Sequence, residues 1–390
     1  MRLLFLSSLV PMAEPASGFD IANRVIVDVL RAQGHEVVSV GYAPPGRAPA
    51  YPAETMVLDT IELTNARVGK RRKAIWLARA LGQRTTFAAA KMRVASEAAI
   101  RARLASQPKP DVVILNSVQL AAAYPDLFAE LPSIYLAHNV EHRSALQNSV
   151  TARSMGERFL FRREARLLER QERVLVDRAR HVWTLSEEDR AIFASGRLAK
   201  ASVLPLVTRL ALDAAPSIDT RPHVYDIGLI GTWSWEPNRI GLQWFLDDVA
   251  PRLPPDFTIA VAGTIARPLA SRHPNLRYLG RVPSADAFVR SVGVVPLASR
   301  GGTGVQLKTI ETFEMGLPSV ATPSAVRGIA RLPENCRVES EAADFAKALE
   351  QAVRRVRAGE NMRIDGYAFH RHQLAMLTTT IERSFSEISI

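Results

Sequence analysis

Short, uninterrupted apolar runs, each followed by a helical period, constrain this chain most. Asp111–Leu115 (DVVIL) and Ser133–Leu136 (SIYL) are too short for core helices and lack polar alternation. Both faces of such segments must be buried, as in strands of a parallel sheet. Arg2–Leu6, Glu36–Val40, Met56–Leu58 and His181–Leu185 read as companion strands, Ile21–Ala32 as a helix stopped at Gly34, and residues 157–178 as a long charged helix. A second series begins at Ile227–Ile230 and passes through a helix around Leu242–Val249 to Thr258–Ala262, Arg277–Leu279, Val292–Val295 and Ser319–Ala321. Phe345–Arg357 and Tyr367–Ile390 read as helices. Alternation of this kind dictates α/β layers. At 390 residues there is room for two such domains, which we expect at 1–205 and 224–368, with a proline-containing linker at 206–223 and a last helix at 369–390. Two α/β domains on a short linker create a cleft, and ligands of these sheets bind beyond the carboxyl ends of the strands.

Composition narrows the class. An apolar content of 47% excludes a disordered or collagen-like chain. The lone cysteine, Cys336, excludes an internal disulfide and a cysteine-rich zinc site, and it suits a reducing compartment. No stretch has the roughly 18 uninterrupted apolar residues of a transmembrane helix. Ser7, Ser8 and Pro11 interrupt the apolar N-terminus, so Met1–Ala16 reads as a buried strand and loop in preference to a signal peptide.

The net charge of +11 points to an anionic partner, and it is unevenly placed. Between Arg67 and Lys109, 12 basic residues face one acid, Glu97. This segment is spaced for one or two amphipathic helices, and Trp76 follows directly on Lys70, Arg71, Arg72 and Lys73. Two readings stand. Either the helix lies on an anionic bilayer or acceptor surface, with those five residues as its face, or it packs into a core with a solvated basic back. Nucleic acid is disfavoured, because only Trp76 and Phe87 supply aromatic rings there.

The strongest local chemistry lies at Arg300–Thr322. A strand runs into Gly301-Gly302-Thr303-Gly304, which opens a helix ending at Gly316-Leu317-Pro318. Glycines let backbone amides approach a phosphate, and a helix start adds its dipole. Lys308 and Glu311 share a helix face, where they fit a pyrophosphate and a ribose diol. A P-loop is excluded because Leu307 precedes Lys308, and no dinucleotide fingerprint follows the first strand. Trp233 and Trp235 either stack on a ligand or pack their loop. His138 and His142 lack a third metal ligand nearby, so His142 reads as a capping or exposed residue.

Gly302-Thr303-Gly304 with Lys308, Glu311, Gly316 and Pro318 resembles the donor-domain signature of GT-B glycosyltransferases of the retaining family 4 type. Asp226–Gly231 with Thr232 to Asn238, Val261–Gly263 and Tyr278–Val282 resemble further strands of that domain. Ser17-Gly18, Leu136–His142 and Ser186–Asp189 resemble elements of its N-terminal partner. The resemblance implies two Rossmann-like domains facing across a cleft, with the last helix crossing back to the first domain. It also implies that Gly231, Thr232, Gly302, Thr303, Gly304 and Lys308 hold the donor diphosphate, Glu311 the ribose, and Gly18 the sugar phosphate. His138 would contact the transferring sugar, and Arg300 would reach a phosphate. Two family features are missing: eight positions before Glu311 stands Thr303 instead of a glutamate, and Thr232 and Pro237-Asn238 occupy the region where the family has an Arg and a Lys after the first strand of this domain.

The expected activity is therefore transfer from a nucleotide-diphosphate sugar to a hydroxyl acceptor, with retention and without metal or other cofactor. A lipid-linked saccharide or cell-surface polysaccharide precursor is the expected acceptor. The expected location is the cytoplasm, peripheral to the inner face of the membrane. The alternatives are a nucleotide-sugar epimerase on the same scaffold, and a membrane- or nucleic-acid-binding protein acting through 67–109.

Overall fold

The computed structural model describes residues 1–62, 68–152, 154–194, 200–212, 223–265 and 267–388. Two compact units emerge: Met1–Leu206 together with Met376–Ile390, and Val207–Ala375. Each has a parallel sheet with helices and its own apolar core.

In the first unit the strands are β1 (Arg2–Ser7), β2 (Glu36–Ala43), β3 (Thr55–Thr60), β4 (Val112–Asn116), β5 (Ser133–Ala137), β6 (His181–Thr184) and β7 (Ala201–Val203). Among the described residues they form one sheet in the order β3-β2-β1-β4-β5-β6-β7. Every residue of β4 and β5 is buried, which is why their sequences show no alternation. The helices are α1 (Gly18–Ala32), α2 (Lys70–Gly82), α3 (Phe87–Met92), α4 (Glu97–Ala105), α5 (Val118–Ala123), α6 (Glu141–Thr151), α7 (Met155–Arg178) and α8 (Glu187–Ala194). Ser17 caps α1 by accepting from the Asp20 amide, and Val25, Ile26, Val29 and Leu30 form its buried stripe. Strand order reverses between β1 and β4, whose last residues, Ser7 and Asn116, are register partners. That reversal is the topological switch point where open α/β sheets bind ligands.

The basic segment departs from expectation. Its first residue, Arg67, lies outside the described residues. The remainder forms three helices, not one or two. Arg84 has a left-handed φ of 50° after α2, and Thr86 and Ser96 each accept an amide to start α3 and α4. Trp76 is buried, edge-on to Phe87 at 6.0 Å, with Arg72 and Lys91 over its ring. As a bilayer anchor it is therefore corrected: its indole belongs to the core, and the large exposed apolar residues of α2 are Ile75 and Leu81.

In the second unit β8 (Tyr225–Ile230), β9 (Ile259–Ala262), β10 (Leu276–Gly280), β11 (Val292–Leu297), β12 (Ser319–Ala321) and β13 (Cys336–Val338) make a sheet in the order β10-β9-β8-β11-β12-β13. Its helices are α9 (Glu236–Trp244), continued by a π-turn at Phe245–Val249, then α10 (Ala285–Arg290), α11 (Leu307–Glu314), α12 (Ala342–Arg357) and α13 (Gly366–Ile388). The end of α13 belongs to the first unit. Here the strand order reverses between β8 and β11.

The stretch expected as a linker is packed at its start. Leu206 and Val207 are buried, and Glu314 accepts from the Thr208 amide at 3.0 Å, while residues 213–222 lie outside the described set. Among the described residues no helix is long and apolar enough to cross a membrane.

Candidate active site

At the β8/β11 switch point of the second unit lies a pocket open to solvent. Its walls are largely apolar, from Leu229, Ile230 and Trp233 on one side to Leu297 and Ala298 on the other. Lys308, Glu311 and Asn238 supply its principal polar groups. Lys308 and Glu311 project from the first turns of α11, whose N-cap residue, Gln306, offers no side-chain cap. The Thr309 amide donates to the Gln306 carbonyl at 2.9 Å, which leaves the amides of Leu307 and Lys308 and the positive end of the dipole for a ligand anion. Gly302 in the preceding turn has φ +96°, a conformation that a side chain would strain.

Burial tunes both charged groups. It pushes the Lys308 ammonium down to about 8, and its Nζ donates to Asn238 Oδ1 at 3.3 Å. Burial, aided by Asp286, raises the Glu311 carboxyl to about 7, with Arg209 opposing. Both groups therefore titrate near neutrality, a pattern that clusters at functional sites.

The first unit has its own polar cluster at its switch point. His138, just past β5, is 8% exposed and packs its ring 4.7 Å from Phe19 in the first turn of α1. Burial pushes its imidazole down to about 4, so it is neutral at physiological pH. His138 Nε2 lies 2.7 Å from Asn116 Oδ1, and Ser7 and Asn23 complete the buried group. Directly after it, the buried Glu172 of α7 accepts from the amides of Glu141 and His142 and from His142 Nδ1. Burial, then the charge of Glu172, raises Glu141 to about 7. Among the described residues no group of three His, Cys, Asp or Glu side chains is placed to hold a metal ion.

Residues 225–355, which carry the pocket, match the family model described as glycosyl transferases group 1. This is a group 1 glycosyltransferase domain, and the chain is a glycosyltransferase. No curated protein sequence matches the chain. Among solved structures, sucrose-phosphate synthase from Thermosynechococcus elongatus superposes with a TM-score of 0.64 at 12% identity, covering 99% of this chain and 98% of that one. HepE of Anabaena, solved with UDP, gives 0.59 at 14% identity over 99% and 100%. AviGT4, a glycosyltransferase involved in avilamycin A biosynthesis, gives 0.52 at 14% over 100% and 97%. At such identities the likeness is one of fold, the two-domain GT-B fold.

In the glycosyltransferase domain, Lys308 and Glu311 line one pocket, whereas Gly302, Thr303 and Gly304 form the turn leading into it. Thr232 joins through its carbonyl, which accepts from Asn238 at 3.2 Å. Gly231 has a packing reason to be glycine, because a Cβ there would stand 3.2 Å from the Trp233 ring. Trp233 itself is buried and donates to the Ala262 carbonyl, so it packs its loop, while Trp235 is exposed. Arg300 is corrected: it donates to the Ser340 carbonyl at 2.7 Å and stacks over Trp244, a placement directed at protein groups instead of the pocket. Gly18 opens α1, one residue from the Phe19 that meets His138. His142 is neither a cap nor free in solvent but a partner of Glu172. On α2, Lys70 and Arg71 are exposed and Lys73 is half-buried, and none of the three lines the pocket.

Asn238, Asn116 and Asn23 contact the candidate site residues, and sequence reasoning missed them. Neutral amides far apart in sequence carry no motif, and only their approach in space gives them a role.

Proposed function

We propose that this glycosyltransferase moves a sugar from a nucleoside-diphosphate donor to a hydroxyl acceptor, with retention of configuration and without a metal ion. The observation that carries the reading is one pocket holding Lys308, Glu311 and the uncapped start of α11. In the reaction the bond from the anomeric carbon to the phosphate oxygen breaks, and its electron pair stays on the diphosphate. The acceptor oxygen bonds the same face, and its proton passes to the departing phosphate oxygen. Lys308 and the helix dipole stabilise the charge that develops, the type of effect that is usually the largest catalytic contribution. Glu311 binds the ribose, and His138 meets a hydroxyl of the transferring sugar. The fold neighbours support a nucleotide donor: HepE was solved with UDP and glucose, and VinC with dTDP.

Lys308→Ala should lower turnover by about 10²–10³-fold with the melting temperature unchanged. Near-normal turnover would overturn the assignment. Product analysis by NMR reads the anomer, and it also separates transfer from epimerisation, which needs no acceptor and releases free sugar.

For the acceptor we propose a lipid-linked saccharide, a precursor of a surface polysaccharide, met at the inner face of the cytoplasmic membrane. The support lies in the α6–α7 hairpin of the first unit. Leu146 and Val150 on α6, with Met155 and Phe159 on α7, are 51–76% exposed. Arg143, Arg162 and Arg166 are exposed farther from its turn. Arg163 donates to the carbonyls of Ala80 and Thr85, placing the basic α2 beside α7. An apolar tip behind a cationic collar matches an anionic bilayer in both polarity and charge.

A further inference from the structure

The buried amides behind His138 carry an inference about its protonation that begins at a backbone carbonyl. The Leu9 carbonyl can only accept, and it faces Asn23 Nδ2 at 2.9 Å. Flipping Asn23 would set two oxygens against each other, so its amide orientation is fixed. Its Oδ1 then faces Asn116 at 2.7 Å, and the atom of Asn116 that meets it must be the donor, Nδ2. The same Nδ2 lies 2.8 Å from Ser7 Oγ. Asn116 therefore presents Oδ1, an acceptor, to His138 Nε2 at 2.7 Å. Asn23, Asn116 and Ser7 are all fully buried, so water does not compete for these bonds.

We infer that Leu9, acting through Asn23 and Asn116, locks His138 as the Nε2–H tautomer and leaves Nδ1 as a bare acceptor for a ligand hydroxyl. Asn116 is then a positioning residue and Asn23 the element that gives it polarity. Low basicity of the buried ring keeps Nδ1 unprotonated at neutral pH. An acceptor-only nitrogen takes a hydrogen bond from a sugar hydroxyl and gives none to a carboxylate or phosphate oxygen. The site thus discriminates by hydrogen-bond sense, where a freely titrating histidine would adapt to either group. The ligand half of this inference rests on the proposed transfer reaction, whereas the tautomer half does not.

Nitrogen-15 NMR of the full chain with labelled histidine tests it directly, with the His138→Gln spectrum identifying the resonance. The expected signature is pyrrole-type Nε2 and pyridine-type Nδ1, unchanged from about pH 5.5 to about pH 8. The reverse tautomer, an averaged pair, or titration with an ordinary histidine midpoint would overturn the lock. Asn116→Asp should keep Nε2 protonated while raising the midpoint by about one unit or more, because a carboxylate stabilises the imidazolium. An unmoved midpoint in a folded Asn116→Asp protein would remove Asn116 from the relay. If either variant fails to fold, the neutral tautomer is read in the wild-type chain once the signal of His273, whose Nε2 donates to the Pro254 carbonyl and whose Nδ1 accepts from the Asn275 amide, has been assigned with His273→Gln. If the signature is as expected but His138→Gln transfers sugar normally, the ligand role falls and the relay stands.

Discussion

Lys308 and Glu311 are separated by one turn of α11, and burial moves their protonation toward each other, to about 8 and about 7. Donor binding needs the ammonium charged and the carboxylate ionised to accept from a ribose diol. It follows that kcat/KM for the donor rises through pH 7 as Glu311 ionises and falls through pH 8 as Lys308 loses its proton. The expected profile is a narrow bell. Glu311→Gln should lose the acidic limb, and Lys308→Arg should push the alkaline limb beyond the range of the assay, each with lower overall activity. A profile flat from about pH 6 to about pH 9 would detach donor binding from both groups. These two residues were legible because a glycine turn, a helix start and a three-residue spacing are local features. His138 was singled out only by the resemblance of Leu136–His142 to a family element. Its partners were not, since Asn116 and Asn23 are 93 positions apart and only the β1/β4 junction brings them together. Arg300 failed for the converse reason. Its position beside the glycine turn was visible in sequence, but the competing Trp244 ring was not.

Elements of the second unit are held by close approaches that composition does not reveal. Gly241 in α9 would, with a Cβ, place that atom 2.0 Å from the carbonyl oxygen of Ala298, a pocket residue just past β11. Alanine is favoured over glycine inside a helix by about 1 kcal/mol. Gly241→Ala should nonetheless destabilise the domain, and it should weaken donor binding too, because α9 must retreat from the pocket wall. Urea unfolding and a donor titration on the same variant check both signs. A second tie joins α12 to β8. Burial alone would raise Asp226, but hydrogen bonds from Arg357 and Thr258 outweigh it and hold the carboxyl at about 2. A depressed carboxyl stabilises the fold fully above its unfolded value and loses that contribution as pH falls toward the folded one. The glycosyltransferase domain should therefore lose stability between pH 4 and about pH 2. Because Arg357 is about a third exposed, Arg357→Met should cost only about 1–2 kcal/mol, below the range of a fully buried pair, and flatten that slope, as read by urea unfolding at several pH values. The strands themselves were legible because burial on both faces leaves an unbroken apolar run. The basic segment was harder, since its division into three helices turns on Arg84 and the caps at Thr86 and Ser96, single residues inside a long helical composition.

For the whole molecule the decisive quantity is where charge and exposed apolar surface coincide. Residues 1–200 carry 29 basic and 20 acidic side chains, and most of the net charge of +11 lies there. Leu146, Val150, Met155 and Phe159, exposed near the turn of the α6–α7 hairpin, lie in that same unit, which also holds α2. Near an anionic surface each cation contributes on the order of 1 kcal/mol, and the attraction decays within a Debye length. Burying a large apolar side chain adds about 1.5–3 kcal/mol and is insensitive to salt. The two contributions can therefore be told apart. The chain should float with vesicles containing phosphatidylglycerol and remain in solution with phosphatidylcholine alone. Raising salt should weaken flotation progressively, while Val150→Ser with Phe159→Ser should weaken it by about tenfold or more at every salt concentration. Lys70→Ala with Arg71→Ala should instead reduce the salt dependence. Transfer to a water-soluble hydroxyl acceptor should be unaffected by the hairpin pair, because the chemistry is assigned to Lys308, Glu311 and His138. Equal flotation of the hairpin variant and the parent would move the bilayer contact elsewhere. Loss of transfer to the soluble acceptor would show instead that the hairpin serves the reaction centre itself.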